Sequence, residues 1–285
     1  MKYLKLFVLF VITFNLSFLE AQEKLENSVL WKVSKPELQQ DSYIFASLHF
    51  MCADDFFVPE KVTQALTSVD ALVLEVNLSD PKEMQAMQAS FASSEKISKA
   101  LSKEQYLELD KLVTKVTGNS LEIYDSYGLS MLQSIMIGKM LPCAALKSFE
   151  NELSIEATQL NKPILSLETA QEQIEILNDS YPPDFAFEQL MLFESYKKDF
   201  NKAIEVYRNE DINTAVRLLN ADKYMDENAT YIMQIERNKK WVETMPAMMK
   251  SSSKLFAVGA AHLTNTSGII NLLREKGYSV VPVTD

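Results

Sequence analysis

The chain has 285 residues and a formal net charge of −11, from 39 acidic and 28 basic side chains. A nucleic-acid binder needs a basic face, and no such face is visible in this sequence, so the charge excludes nucleic acid as a partner. The six glycines and the lack of a low-complexity linker indicate a single domain, and the length is sufficient for a large core.

The first 21 residues are typical of a secretory signal. Two lysines precede an apolar run that ends at Leu19 and is too short to span a bilayer comfortably, and Ala21 supplies a small residue for cleavage. We therefore expect residues 1–21 to be removed, which leaves 22–285 as one exported domain, periplasmic or extracellular, with no stable membrane span. The alternative is a permanent N-terminal anchor.

The two cysteines are Cys52 and Cys143. An exported protein can form disulfides, but the sequence alone does not show that these two residues meet. We expect two unpaired thiols rather than a bridge.

The predicted elements alternate between strands and helices around a long helical stretch. Apolar runs and helical spacings give, in chain order, strands at "SVLWKVS" and "SYIFASLHF", a helix at "PEKVTQALTSV", a strand at "DALVLEVNL", mostly helices over 81–160, a strand and helix at "KPILSLETAQEQIEIL", two long helices flanking a short one over 185–250, and strand, loop, helix and strand over 255–283. Thr169 and Glu172 have the spacing of a capping box. We expect an α/β fold with a central mixed sheet flanked by helices and a large, mostly helical insert.

The two histidines of the chain have the same local context. His49 and His262 each follow an apolar strand, and each has a small residue three positions earlier, Ala46 and Gly259. A small residue there lets backbone or ligand approach closely. Because ligands bind at the carboxyl ends of strands in open α/β sheets, we expect the two histidines to share one site.

Glu75 is the third candidate, because a carboxylate inside the apolar strand "ALVLEV" is costly unless it is paired or ligates a metal. His49, Glu75 and His262 together would suit a divalent transition metal such as zinc, with positions left open for water and substrate. The alternative is a buried histidine–carboxylate pair in which Glu75 acts as a general base.

Four more side chains are secondary candidates. Asn238 interrupts an apolar helical seam that begins at Tyr231, and Arg237 lies beside it; we favour a structural role for the pair over contact with substrate. Glu168, at the end of a strand, is either a surface charge or a partner for a site histidine. Ser47 would be a nucleophile only with a third triad member, and none is evident.

These motifs resemble the TraB/PrgY/GumN family, which includes the Tiki proteases and is distantly similar to erythromycin esterases and the ChaN group. The resemblance spans nearly the whole mature chain; it depends on "LWKVS", "SYIFASLHF", "DALVLEVNL", "KPILSLETAQEQIEIL", "ERN" and, most specifically, "FAVGAAHLTNTSGIINLLREKGYSVVPV". It implies a pseudo-duplicated α/β core in which each half supplies a histidine. For the Tiki branch it implies hydrolysis of peptides or proteins with manganese or cobalt.

The first motif departs from the family's G-x-x-H, because Ala46 takes the place of the glycine. Alanine is strained there if the backbone needs a positive φ, whereas one methyl group is tolerable if glycine serves only close packing. The sequence therefore leaves three functions open: a metallohydrolase with His49, Glu75 and His262, a protein that sequesters a peptide or other ligand, and a metal-independent hydrolase that uses Glu75 and a histidine.

Overall fold

A computed structural model describes residues 25–92 and 94–284. The expected signal, residues 1–21, lies outside the described residues. Within the described ranges, no helix is both long and apolar enough to cross a membrane.

A mixed six-stranded sheet forms the centre of the fold, with the strands in the order β6-β4-β7-β2-β1-β8. The eight strands are β1 (Leu30–Ser34), β2 (Ser42–Ser47), β3 (Phe50–Cys52), β4 (Ala71–Leu74), β5 (Leu146–Ser148), β6 (Ile164–Ser166), β7 (Lys254–Gly259) and β8 (Ser279–Pro282). β6, β4, β7 and β2 are parallel, whereas β1 is antiparallel to both β2 and β8. Every residue of β4 and β7 is buried, as expected for strands that are covered on both faces. The sheet confirms the predicted α/β class; the pseudo-duplication of its halves stays a prediction.

Helices flank the sheet and form the insert. They are α1 (Glu60–Ser68), α2 (Pro81–Ala92), α3 (Ile97–Ala100), α4 (Lys103–Thr117), α5 (Gly128–Gly138), α6 (Phe149–Gln159), α7 (Ala170–Ser180), α8 (Pro183–Met191), α9 (Phe193–Tyr207), α10 (Ile212–Leu219), α11 (Glu227–Thr230), α12 (Arg237–Ser251) and α13 (Ile269–Glu275). A π-helical segment, Tyr231–Glu236, joins α11 to α12, and a 3₁₀ turn, Ala260–His262, follows β7. The capping box of Thr169 and Glu172 is present at the start of α7.

The buried apolar side chains form two clusters, one around the sheet and one within the helical insert. Ile204 and Leu219 pack against both clusters and so join them. The insert therefore lies against the sheet, and the candidate site lies between the two clusters.

A two-stranded ribbon of β3 and β5 was not expected, because the sequence pattern over 81–160 predicts helices. It pairs Phe50 with Ser148 and Cys52 with Leu146. Cys52 ends β3 and Cys143 lies three residues before β5, so the pairing brings them close, and they form a disulfide with their Cα atoms 5.7 Å apart. The expectation of two unpaired thiols is wrong, because a three-residue strand leaves no periodicity from which the pairing could be read.

The predicted apolar seam of the last long helix holds only from Asn238 onward. Asn238, Val242 and Met245 are buried, whereas Tyr231 is 47% exposed and Gln234 is buried instead. In a π-helix the backbone hydrogen bonds join residues i and i+5, so a turn contains more residues than in an α-helix. The spacing of the buried residues therefore differs from the one that an α-helix would give.

Candidate active site

The candidate site lies at the carboxyl ends of three neighbouring parallel strands. Ser47 ends β2, Gly259 ends β7 and pairs with Ser47, and Glu75 directly follows β4. His49 and His262 each follow one of these strand ends. Together with the helical insert, these residues line a cavity of about 340 Å³. The structure thus brings His49, Glu75 and His262 to one edge of the sheet.

His49 lies between β2 and β3 with a φ of 63°. A left-handed backbone is uncommon in residues other than glycine, and such strain clusters at functional sites. Nδ1 of its ring bonds Oε1 of Glu150 at 2.9 Å, and Phe149 donates its backbone N–H to the His49 carbonyl at 2.9 Å. The side chain is 54% exposed, towards the cavity. Because Glu150 accepts the Nδ1 proton, Nε2 is the nitrogen free to act in the cavity.

Ser47 contacts both Glu150 and His49, but its hydroxyl is not placed as a nucleophile. Its hydroxyl donates to Glu150 Oε1 at 2.7 Å and accepts the backbone N–H of His49 at 3.3 Å. Ser47 is also buried, with 1% of its surface exposed. It therefore holds the Glu150 carboxylate in place.

Glu75 is buried and uses both carboxylate oxygens. Oε1 accepts the backbone N–H of Gly259 at 2.8 Å and lies 3.9 Å from Nε2 of His262. Oε2 accepts from Nη2 of Arg237 at 2.6 Å and from Nε2 of Gln173 at 3.3 Å. Burial favours the neutral acid, but the Arg237 charge outweighs it and holds the pKa of Glu75 well below its ordinary value. Glu75 is thus an anion at neutral pH.

Arg237 is the centre of the buried charges. Its guanidinium bonds Glu75, and Nε and Nη2 both reach the Glu168 carboxylate at 3.0 Å. Glu168 also accepts from the indole N–H of Trp241 at 2.9 Å. Arg237 thus contacts the site, where a structural role was favoured, and Glu168 is a buried partner rather than a surface charge.

His262 has a fixed tautomer. Asn238 donates its amide N–H to the Ser267 carbonyl at 2.8 Å, so its oxygen faces Nδ1 of His262, 2.7 Å away, and that nitrogen carries the proton. Nε2 then accepts from Nη1 of Arg237 at 3.1 Å. Burial and the neighbouring Arg237 charge lower the pKa of His262 to about 3, so the ring is neutral.

His49 is shifted in the opposite direction. Partial burial would lower its pKa, but the Glu150 carboxylate outweighs this effect and raises the pKa to about 9. At neutral pH the site therefore holds one imidazolium, His49, and one neutral imidazole, His262. Groups whose pKa values are pushed apart in this way are suited to acid–base chemistry.

The two small residues have different roles. Gly259 has a negative φ of −57°, and a Cβ atom there would lie 2.9 Å from Nε2 of His49 and 3.4 Å from Oε1 of Glu75. Glycine is therefore needed for close approach. Ala46 is buried within β2, pairs with Val258 and does not have a positive φ. Alanine is therefore unstrained at this position of the first motif.

The side chains as arranged do not fit a metal ion held by His49, Glu75 and His262. Among the described residues, no group of three or more His, Cys, Asp or Glu side chains is placed to hold one. The Arg237 guanidinium also bonds Oε2 of Glu75 and Nε2 of His262, two of the atoms that would bind such an ion. A cation at this position would have to displace Arg237.

A family model described as the TraB/PrgY/gumN family matches residues 29–282. No curated protein and no solved structure matches the chain.

Proposed function

Because this chain belongs to the TraB/PrgY/gumN family, we propose that its site hydrolyses an ester or amide bond, with peptides or proteins as the expected substrates. The observation that carries the proposal is the His49 ring: Glu150 holds one nitrogen, and the other faces a cavity beside Glu75 and Gly259. A histidine that is oriented by one carboxylate and lies beside a second carboxylate can serve in general acid–base catalysis of hydrolysis.

The charges of the two groups assign their roles. Glu75, an anion, accepts through Oε1, the oxygen that Arg237 does not bond, a proton from the water that attacks the carbonyl carbon. His49, an imidazolium at neutral pH, polarises the carbonyl and donates a proton to the leaving oxygen or nitrogen when its bond to carbon breaks. Glu75 then returns its proton to His49, so the products are an acid and an alcohol or amine. Gly259 leaves the space in which the water and the carbonyl meet.

A divalent metal, manganese or cobalt by resemblance, stays a prediction. Arg237 stands where such an ion would bind Glu75 and His262, so no step of the proposed reaction passes through a metal. Elemental analysis of protein purified without a histidine tag tests this point directly. A stoichiometric ion whose removal abolishes hydrolysis would replace the proposed reaction with a metal-dependent one.

The pH dependence of hydrolysis tests the role of His49. We expect activity on nitrophenyl esters and quenched peptides to fall as the pH rises through about 9, because His49 then loses its proton. Glu150→Gln removes the carboxylate that raises this pKa and should move the alkaline limb towards neutral pH. The matched control is Glu152→Gln on the same helix, whose carboxylate bonds Lys147 at 3.1 Å. An alkaline limb that is identical in wild type and Glu150→Gln would contradict the proposal.

Sequestration of a ligand without chemistry is the second candidate function. The apolar side chains that line most of the cavity favour it, because they bind a ligand without reacting with it. His49→Gln distinguishes the two functions. If the protein is a hydrolase, the variant loses turnover; if it only sequesters a ligand, the wild type shows no turnover and the variant keeps the wild-type affinity.

We also propose that the protein is exported. The Cys52–Cys143 disulfide supports this, because disulfides persist in oxidising compartments and are rare in the cytosol. Sequencing the N-terminus of the native protein is the test, and an N-terminus at Met1 in a cytosolic fraction would contradict export.

A further inference from the structure

The cavity has an apolar arm formed by the helical insert. Its apolar walls include Met136 and Ile137 of α5, Met140 just after α5, Leu190 of α8, and Phe193 and Phe200 of α9. Four histidine, glutamate and arginine side chains are among the described residues that line the cavity: His49, Glu75, Arg237 and His262. They lie where the cavity meets the sheet edge. A charged ligand group in the apolar arm would therefore lack a side chain of opposite charge, which is unfavourable in largely apolar surroundings.

One polar side chain of the cavity wall lacks a proper partner. Gln234, in the π-helical segment, is 4% exposed, and its Nε2 reaches only the Met225 sulfur, 3.5 Å away. Among the described residues, its Oε1 is the buried side-chain polar atom that has no hydrogen-bond partner. A buried acceptor without a partner is destabilising, and because Gln234 lines the cavity, a small rotation of its side chain would let a ligand supply the missing donor.

The backbone around Gln234 supports a role in binding. A π-helical turn is a rare and unfavourable conformation that occurs often at functional sites. Here it buries Gln234 three residues before Arg237, so both side chains line the same cavity. The carboxamide and the charged centre can thus contact two parts of one molecule.

We infer that the cavity binds an uncharged ester or amide with a largely apolar body, which lies in the apolar arm and donates one N–H or O–H hydrogen bond to Gln234. The inference depends on the proposed function only for placing the scissile carbonyl beside His49. Gln234 selects the donor, and the insert side chains select the apolar body.

A matched pair of ligands tests this selection by calorimetry. N-butyloctanamide offers one N–H donor, and N-butyl-N-methyloctanamide has nearly the same apolar body without that donor. We expect wild-type protein to bind the first at least about tenfold more tightly, which corresponds to about 1.4 kcal/mol. Gln234→Leu should reduce the ratio to about one while both amides still bind, because the apolar arm is intact.

The matched control is Gln64→Leu, the same change at an exposed glutamine of α1 that does not line the cavity. It should keep the wild-type ratio. Equal binding of both amides by wild type, or binding of neither, would overturn the inference. Because the measurement needs no turnover, a protein that discriminates the amides but hydrolyses nothing would retain the subsite and refute only the proposed reaction.

Discussion

Gly259→Ala perturbs the space in which the proposed reaction occurs. The new methyl carbon would lie 2.9 Å from Nε2 of His49 and 3.4 Å from Oε1 of Glu75. Unbonded heavy atoms pack best at about 3.5–4.0 Å, so the imidazole has to retreat by roughly 0.6–1.1 Å. A misplacement of about 1 Å can lower the rate about 10²-fold, and we expect kcat to fall by about that factor.

The same substitution should change stability by less than about 1 kcal/mol. The φ of −57° at Gly259 suits alanine, and replacing glycine at a compatible position is stabilising by about 0.4–1 kcal/mol. The His49 ring is 54% exposed and can move aside at modest cost. Chemical denaturation and initial-rate kinetics on one preparation separate the two effects. Wild-type kcat in Gly259→Ala would refute the idea that water and substrate meet between His49 and Glu75.

Ala46→Gly is the matched control, because Ala46 lies three residues before His49, just as Gly259 lies three residues before His262. Ala46 lies in a buried, extended strand, so glycine should lower the free energy of unfolding by about 0.5–1 kcal/mol and leave kcat unchanged. Higher activity in Ala46→Gly would show that the alanine methyl restricts the site.

Two further measurements examine the charges of the site. Because the chain has only two histidines, ring NMR of untagged protein should resolve both: His49 should titrate near pH 9, and His262 should stay neutral through the folded range, down towards pH 3. Two midpoints near 6.5 would contradict the assigned partners. Arg237→Met should lower the free energy of unfolding at pH 7 by about 3–5 kcal/mol, because it leaves the Glu75 and Glu168 carboxylates buried without their cation. A loss below about 1 kcal/mol in urea unfolding would contradict that view of the charge cluster.

Those parts of the site that depend on local pattern could be predicted from the sequence. Each histidine follows an apolar run, and in parallel strands such runs end at one edge of the sheet, so the meeting of His49 and His262 followed from strand periodicity. Glu75 stood out because a carboxylate in an apolar strand needs partners.

The partners that decide the chemistry could not be predicted in this way. Glu150 is one of 39 acidic residues and lies 101 positions from His49, and the short β3–β5 ribbon brings the two together. As an N-cap residue, Ser148 indicates that a helix begins there, but it does not indicate that Glu150, in the first turn of this helix, contacts His49. Arg237 was identified beside Asn238, but its contact with Glu75 depends on packing between distant elements. The missing information is long-range pairing, which local spacing does not record.

The disulfide provides a test of that long-range pairing. Replacing Cys52 and Cys143 together with alanine opens a connection across 91 residues, and loop entropy predicts a loss of unfolding free energy of about 4–5 kcal/mol, with about 2–5 typical of native bridges. The ribbon next to the bridge aligns His49 with Glu150, so loosening it should also lower kcat and move the His49 midpoint from about 9 towards 6.5. Reduction of wild-type protein with dithiothreitol should reproduce both shifts, whereas reductant should not affect the alanine variant. Lower stability with an unchanged His49 midpoint would mean that the bridge stabilises the fold without positioning the histidine, because Ser47 and the β2 strand end would then be sufficient to hold Glu150 against the ring.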